Sequence, residues 1–428
     1  MREMKDSGVP WIGMIPKGWT VHRIKTLFSE RIELSDTGNE TLLSVSEYYG
    51  VDSRSSHIDE DEFLSRSESL IGYKKCYPGD IVSNIMLAWK GSLGVAKQPG
   101  IVSPAYCVYK PANGVYPVYY HYLFRTSLYT WQFKCYSKGI IDSRLRLYSP
   151  FFFDIPALIP PTSEQQYIAN ALDEKDAEID SIIERTRASI DEYRKLKQAV
   201  ITEAVTKGVC GSREMKDSGL EWMGSIPVEW CVSPLKKLIR MPLQYGANES
   251  GIPYSNELPR YVRITDIRNN RLRDDLEMQS LTEEQAKGFI LEHEDILFAR
   301  SGGTVGKAFI FQESYGRCAF AGYLIRAKII GRISPWFVYY FTQSSAYDEW
   351  KKQIFIQSTI QNIGADRYSQ LRIPCPPLIE QKQIVSYLDE KCAAIDSLIT
   401  AKESLISELG TYKKSLIYEY VTGGKTRQ

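Results

Sequence analysis

One long helix-forming stretch occurs twice in this chain, and a repeat of that length leaves few architectures open. The first copy occupies residues 160–208 and the second residues 376–424. Pro160-Pro161 stands with Pro376-Pro377, and Glu164-Gln165 with Glu380-Gln381. Leu172-Asp173-Glu174-Lys175 stands with Leu388-Asp389-Glu390-Lys391, and Ile179-Asp180-Ser181 with Ile395-Asp396-Ser397. A second repeat confirms the plan. The lead-in REMKDSGVPWIGMIPKGWTVHRIKTL at residues 2–27 returns as REMKDSGLEWMGSIPVEWCVSPLKKL at residues 213–238, directly after the first helical stretch. The order is therefore lead-in, globular region, helix, then the same again. This predicts an α+β chain with similar globular domains at residues 1–159 and 211–375 and helical spacers at residues 160–210 and 376–428.

In the first spacer Thr162 or Ser163 is placed to cap the helix, with acidic residues following early. Apolar side chains then recur at Ile168, Leu172, Ile179, Ile183, Ile190, Tyr193 or Leu196, Val200 and Ala204. In the second they fall at Ile384, Leu388, Ile395, Leu398, Leu405, Leu409, Tyr412, Leu416 and Tyr420. Steps of three, four and seven make the seam of a coiled coil, and the charged positions between them make a solvated face. Roughly forty residues at ~1.5 Å each give a rod of about 60 Å. One seam cannot be buried alone, so the two copies are expected to pack on each other. An antiparallel pair places the globular regions at opposite ends about a pseudo-two-fold axis, an arrangement that suits the antiparallel strands of DNA.

In the first globular region strands are expected at residues 41–46, 80–87, 93–96 and 106–109, and an aromatic helix at residues 118–130. In the second, residues 261–267 alternate as a half-buried strand does. Glu294-Asp295-Ile296-Leu297 stands as the counterpart of Gly79-Asp80-Ile81-Val82, and residues 334–342 as that of the aromatic helix. Ile155-Pro156 and Ile373-Pro374 close the two regions. Trp11, Trp19, Trp222 and Trp230 read as packing anchors beneath a turn. Between these anchors the interiors differ.

Catalytic patterns fail one by one. Residues 301–308, SGGTVGKA, lack the leading glycine and the final Ser or Thr of a phosphate loop. The Pro-Pro pairs lack the flanking residues of an amino-methyltransferase signature. Glu349-Trp350-Lys351 is half of a nuclease site without its Pro-Asp partner. His22, His57, His121 and His293 have no metal-ligand spacing, and the eight cysteines form no C-x-x-C pair. Reduced thiols, an opening without signal-peptide pattern and no membrane-length apolar run lead to the expectation of a cytoplasmic protein. A formal net charge of +1 leaves any phosphate-binding face balanced by acidic surface elsewhere.

The lead-in D-S-G-x-x-W-x-G-x-I-P-x-x-W, the segments Gly79-Asp80-Ile81-Val82 and 295–302, and the P-P-x-x-E-Q helices, in this order and in duplicate, resemble the specificity subunit of type I restriction–modification systems. The resemblance covers essentially the whole chain. It implies two target-recognition domains that each read half of a split sequence in double-stranded DNA. It also implies helical spacers that dock DNA methyltransferase subunits, translocase–nuclease subunits that join through that complex, and no catalysis by the chain itself. SAM, ATP and Mg are then needed only by partner subunits. Gln165, Gln166, Gln381 and Gln383 are the partner-facing candidates on the spacers. A coiled-coil scaffold whose ends bind proteins and an autonomous nuclease are the rival classes.

Base reading calls for Arg, Lys, Asn, Gln, Ser or Thr on turns that reach the major groove. In the second region Arg300, Ser301, Thr304 and Lys307 form the leading cluster, with Arg300 suited to a guanine edge and Lys307 to a phosphate. Gly302, Gly303 and Gly306 either let the backbone approach DNA or only shape a hairpin. The counterparts in the first region are Asn84, Lys90 and Ser92, with Trp89 and Gly91. Arg263, Thr265 and Asp266, and Ser44, Ser46 and Glu47, are secondary candidates. Arg144, Arg146 and Arg367 precede the closing Ile-Pro segments as phosphate contacts or surface ion pairs. Arg300→Ala is expected to weaken DNA binding by an assembled complex by about 1–3 kcal/mol, mainly for its own half of the target; unchanged modification across that half-site would remove Arg300 from the interface.

Overall fold

A single carboxylate at the start of each long helix ties the helix to its lead-in. The computed structural model describes residues 2–53, 69–211, 213–268, 270–274, 277–356 and 362–424. At the first helix, Glu164 accepts hydrogen bonds from the Trp19 indole Nε1 (2.9 Å) and from Arg2 Nη2 (2.8 Å). The Arg2 guanidinium also lies 5.4 Å from the centre of the Trp19 ring. At the second, Glu380 accepts from Trp230 Nε1 (2.9 Å) and pairs with Arg213, which lies 5.4 Å from the Trp230 ring. Both indoles are fully buried. The tryptophans thus anchor the lead-in as expected, and their partners are the Glu of P-P-x-x-E-Q and the Arg that opens the lead-in. The adjoining D-S-G is a turn: Gly8 N donates to Asp6 Oδ1 and Gly219 N to Asp217 Oδ1, both at 2.9 Å, with the glycines at φ 74° and 75°.

Packing divides the chain into two units, Met1–Thr186 with Ser404–Gln428, and Arg187–Glu403. It therefore cuts each long helix, Thr162–Lys207 and Leu378–Val421, partway along its length. In the first unit Ile168, Leu172 and Ile179 share a core with Leu416 and Val421, and Lys413 bridges Asp180 (2.8 Å) and Asp176 (3.3 Å). In the second, Ile384, Leu388 and Cys392 share a core with Ile201, Ala204 and Val205. There Lys197 meets Asp396 (2.6 Å) and Arg194 meets Glu403 (3.2 Å). Contacts that rise along one helix fall along the other, so the segments run antiparallel within the unit. The expected seam is only partly buried. Leu196, Leu398, Leu405 and Tyr412 are exposed. In the second unit these ion pairs and the Lys402–Tyr193 contact (5.7 Å) link the two helices, and Leu196 and Leu398 are left outside that contact.

Each unit holds the same antiparallel sheet. In the first, β1 (Phe28–Arg31), β2 (Ile81–Asn84), β3 (Leu93–Val95) and β4 (Tyr106–Pro111) are ordered β1-β4-β2-β3. In the second, β5 (Gln244–Tyr245), β6 (Ile296–Ala299), β7 (Ala308–Ile310) and β8 (Leu324–Ala327) are ordered β5-β8-β6-β7. The pairings Ile81↔Val95 and Ile296↔Ile310 put the two copies in register. Each central strand is entered through a turn closed by its Asp. Asp80 accepts from Tyr77 N and Asp295 from Glu292 N, both at 2.9 Å. The residue before each Asp is left-handed, Gly79 at φ 92° and Glu294 at φ 64°.

Aromatic helices Pro117–Phe124 and Pro335–Phe341 pack over the sheets, and each fastens its own long helix. Tyr122 Oη donates to Asp173 (2.7 Å) and Tyr340 Oη to Asp389 (2.6 Å), which accounts for the L-D-E-K repeat. The closing segments Pro156–Ile159 and Arg372–Cys375 pair antiparallel with Thr20–Arg23 and Cys231–Pro234.

Three expectations change. The helix expected at residues 118–130 is two, because Thr126 turns extended and caps Leu123 O (2.7 Å) before Ser127–Tyr136 begins. The strand expected at 261–267 stops at Val262, because Asp266 accepts from Arg263 N (2.8 Å) and folds the chain into a 3-10 turn. The strand expected at 80–87 ends at Asn84, whose Oδ1 accepts from Met86 N (3.1 Å). Glu164→Ala leaves a buried indole N–H and a half-buried guanidinium without their acceptor. It is expected to destabilise the first unit by about 2 kcal/mol in urea unfolding followed by tryptophan fluorescence, and a change within ~0.5 kcal/mol would show the tie to be dispensable.

Candidate nucleic-acid interface

In the second unit β6 is apolar and buried throughout, and it delivers Arg300 at its end. Arg300 is fixed by its backbone: its N donates to Tyr323 O (3.0 Å) and its O accepts from Ile363 N (2.9 Å). Residues 301–306 are the hairpin loop into β7, with Gly306 N donating to Ala299 O (2.9 Å) and Lys307 N to Thr304 O (3.0 Å). Gly302 and Gly306 take φ 77° and 83°. The segment leads into a strand, so it has no helix N-terminus to cradle phosphate and is no phosphate loop. Arg300, Ser301, Thr304 and Lys307 therefore share one hairpin. Ser301 bridges to Asn362, and Lys307 is exposed.

The Arg300 guanidinium lies 4.9 Å from the centre of the Tyr245 ring, and its buried Nε has no hydrogen-bond partner. Tyr245 Oη accepts from Ala365 N (2.9 Å), the first residue of the short helix Ala365–Ser369. That helix also carries Arg367, which is exposed. Tyr245 and Tyr323 are exposed aromatics that sequence reading passed over, because an isolated tyrosine carries no periodic signal.

Arg263 is held within the fold. Its guanidinium grips Asp266 at 3.1 and 3.0 Å and Glu277 O at 2.9 Å, and the Asp266 hydrogen bond raises its pKa further. Thr265 is exposed beside Asp266, with its Oγ1 3.4 Å from Oδ1.

In the first unit two candidates are buried structural groups. Asn84 closes the turn to Met86, and Ser92 Oγ donates to Val45 O (3.0 Å). The sheet register explains the error over Asn84. Asn84 corresponds to Ala299, and the counterpart of Arg300 is Ile85, whose O accepts from Leu147 N (2.9 Å) as Arg300 O does from Ile363 N. Lys90 is exposed, with its Nζ 5.3 Å from the Trp89 ring. Trp89 itself donates to Met86 O (3.1 Å). Arg144 is exposed, and Arg146 spends Nη1 on Ser143 O (3.2 Å) and Leu145 O (2.8 Å).

The partner-facing glutamines divide. Gln165 and Gln381 are buried and spent internally, which corrects their assignment as partner contacts. Gln165 accepts from Tyr116 N (2.9 Å) and donates to Pro160 O (2.8 Å). Gln381 accepts from Ser334 N (2.6 Å) and donates to Pro376 O (2.8 Å). Gln166 and Gln383 are exposed.

The first unit also holds a clamp that sequence reading missed. Arg125 donates Nη2 to Glu47 O (2.9 Å) and Tyr48 O (2.8 Å), and Nη1 to Leu93 O (3.2 Å) and Ser46 O (3.4 Å). It fixes the tip of the hairpin Leu43–Ser46 and Gly50–Ser53. Tyr48 stands 84% exposed on that tip beside exposed Glu47. Ser46 Oγ accepts from Tyr48 N (3.1 Å), and the Ser44 and Tyr49 hydroxyls are 3.0 Å apart. The only sequence signal was one arginine ending an aromatic helix.

Among the described residues no group of three His, Cys, Asp or Glu is placed to hold a metal ion, and no helix is long and apolar enough to cross a membrane. His57 lies outside the described residues, and His22 and His293 are exposed.

Residues 227–407 match the type I restriction modification DNA specificity domain. The type I restriction enzyme EcoKI specificity subunit of Escherichia coli K12 is 22% identical, across 97% of this chain and 91% of its own length. The StySPI specificity subunit of Salmonella potsdam is also 22% identical, across 97% and 91%. Among solved structures, a chain from work on complex assembly and conformational transition of the type I R-M system aligns with TM-score 0.72 at 15% identity, over 95% of this chain and 98% of its own. The HsdS subunit from Thermoanaerobacter tengcongensis aligns with TM-score 0.52 at 16% identity, over 96% and 98%. At these identities the structural likeness speaks for the fold.

Beneath the clamp, His121 Nδ1 accepts from Val95 N (3.3 Å), and burial, with Arg125 and Lys97 nearby, pushes its pKa down to about 3. The folded ring stays neutral where an unfolded histidine takes up a proton near ~6.5. The first unit is therefore expected to lose stability as pH falls from ~6.5, by about 1.4 kcal/mol per pH unit at most from this group. His121→Gln, which keeps an acceptor for Val95 N, should flatten that part of the slope in pH-dependent urea unfolding; an unchanged slope would assign it to other groups.

Proposed function

We propose, from the premise that this chain is a member of the specificity-subunit family of type I restriction–modification systems, that it is the DNA sequence-recognition subunit of such a complex. Each globular part reads one half of a bipartite target in double-stranded DNA. The helical spacers set the separation and opposed orientation of the readers about a pseudo-two-fold axis. They also dock DNA methyltransferase subunits through exposed side chains such as Gln166 and Gln383, and translocase–endonuclease subunits join through that complex. The chain itself is non-catalytic. SAM, ATP and Mg serve the partner subunits, and the complex works in the cytoplasm.

One observation carries this reading. The same scaffold is built twice, with the same ties and the same sheet, yet positions at the ends of its strands differ. Tyr245 and Arg300 occupy the second unit where Ile32 and Ile85 occupy the first. A bipartite reader needs this: a common frame that two halves of one assembly can engage, and base-facing side chains free to differ. A protein-binding scaffold has no such need for paired but unlike faces. The near-zero net charge is consistent with sharing phosphate neutralisation among several subunits.

Sequencing methylated adenines in the source genome, with and without this chain, tests the proposal. Loss of methylation at one two-part motif is expected on its removal, together with co-purification of the chain with a SAM-dependent DNA methyltransferase. An unchanged methylation pattern would reject it, and metal-dependent cleavage of DNA by the lone chain would favour a nuclease instead.

A further inference from the structure

We propose that Tyr245 is the positioning residue that aims Arg300 at a guanine edge, so that the pair sets base preference at one position of the half-site read by the second unit. The inference rests on the DNA-recognition reading above. The first support is how the arginines of this chain are spent. Arg2, Arg213, Arg263 and Arg31 are tied to carboxylates, and Arg125 to backbone carbonyls. Arg300 differs. It is half-buried, and its buried Nε is unpartnered like those of Arg213 and Arg326, but where those two are paired with carboxylates the contact on the Arg300 guanidinium is the Tyr245 ring at 4.9 Å. An aromatic face fixes a guanidinium plane without using its N–H donors. The fork is left for an acceptor pair, and the paired acceptors O6 and N7 of guanine match it.

The second support is that Tyr245 is itself held at both ends. Its backbone pairs with Ile325 in the sheet, and its hydroxyl accepts from Ala365 N at 2.9 Å. The ring is thus a fixed platform in a sheet edge, and Arg300 is anchored through Tyr323 O and Ile363 N. The third support comes from the other unit. Counted one residue past the paired strands, Ile32 falls at the position of Tyr245 and Ile85 at that of Arg300. The first unit has no aromatic or cation at either position: Ile32 is exposed and Ile85 packs against the core. The ties of the frame are repeated in both units, as the Glu–Trp bonds are, and this pair is not.

The test uses the full chain assembled with its methyltransferase subunits on a plasmid library randomised across the target, with methylated-site sequencing as readout. Arg300→Lys, which keeps charge but not the planar fork, locates the position read. Tyr245→Leu is expected to raise methylation of sites with a wrong base at that same position about tenfold relative to the cognate site. Tyr245→Phe, which keeps the aromatic face and gives up only the hydroxyl contact to Ala365 N, should fall between the parent chain and Tyr245→Leu. The other half-site and the melting temperature should be unchanged. If Arg300→Lys relaxes a position and Tyr245→Leu does not, or if Tyr245→Phe is as relaxed as Tyr245→Leu, the positioning role is overturned. If neither substitution alters a half-site that the parent complex reads, the pair is overturned while the recognition function stands. A parent complex that methylates no sequence dependent on this chain would overturn both.

Discussion

The tie between one glutamate, one tryptophan and one arginine is what the rest of each unit depends on. Glu164 and Glu380 sit in the first turn of their helices, where a carboxylate is favoured by the helix dipole. Each takes an indole N–H that no water can reach and a guanidinium stacked on the same indole. The neighbouring glutamine then satisfies the start of the aromatic helix, through Tyr116 N in one unit and Ser334 N in the other. In this way two short motifs far apart in the chain become one joint. The joint decides where the long helix leaves the globular part, and the Tyr–Asp bonds about two and a half turns further on hold that direction.

Much of this frame was legible. The duplication, the closing Ile-Pro strands, the aromatic helices and the turn before each central strand are all set by local chemistry or by periodicity, and both are visible in a sequence. The seam was legible only in part, because its period says which residues share a stripe and not how much of the stripe a second helix covers. Leu196, Leu398, Leu405 and Tyr412 share the period and remain outside.

The candidate interface was harder to read for a definite reason. Asn84, Ser92, Arg263, Gln165 and Gln381 were picked because their side chains can read bases or grip a partner. The same hydrogen-bonding capacity satisfies the chain's own turns and helix starts, and in all five cases it does. Residue type alone does not separate these uses. What separates them is whether the donors are already spent, and that depends on residues distant in sequence, as with Asp80 and Arg31 or Arg125 and the Ser46–Tyr48 carbonyls.

Having two copies in one chain supplies a way to tell frame from face. The buried Asp that closes each central turn must be compensated, because an unpaired carboxylate is costly in the interior. In the first unit its partner is Arg31 on β1, at 2.8 Å. In the second it is Arg326 on β8, at 3.6 Å, and the residue across from it in register is Gln244, at the position of Arg31. The arginine has moved from one strand to the next, yet the charge is still answered. A constraint of the frame survives change by being met another way. At Ile85, set against Arg300, the first unit packs an aliphatic side chain against its core where the second holds a cation over the Tyr245 ring. Where the two units fill one position with different chemistry and none of the repeated ties depends on it, a recognition surface can vary while the frame that presents it is kept.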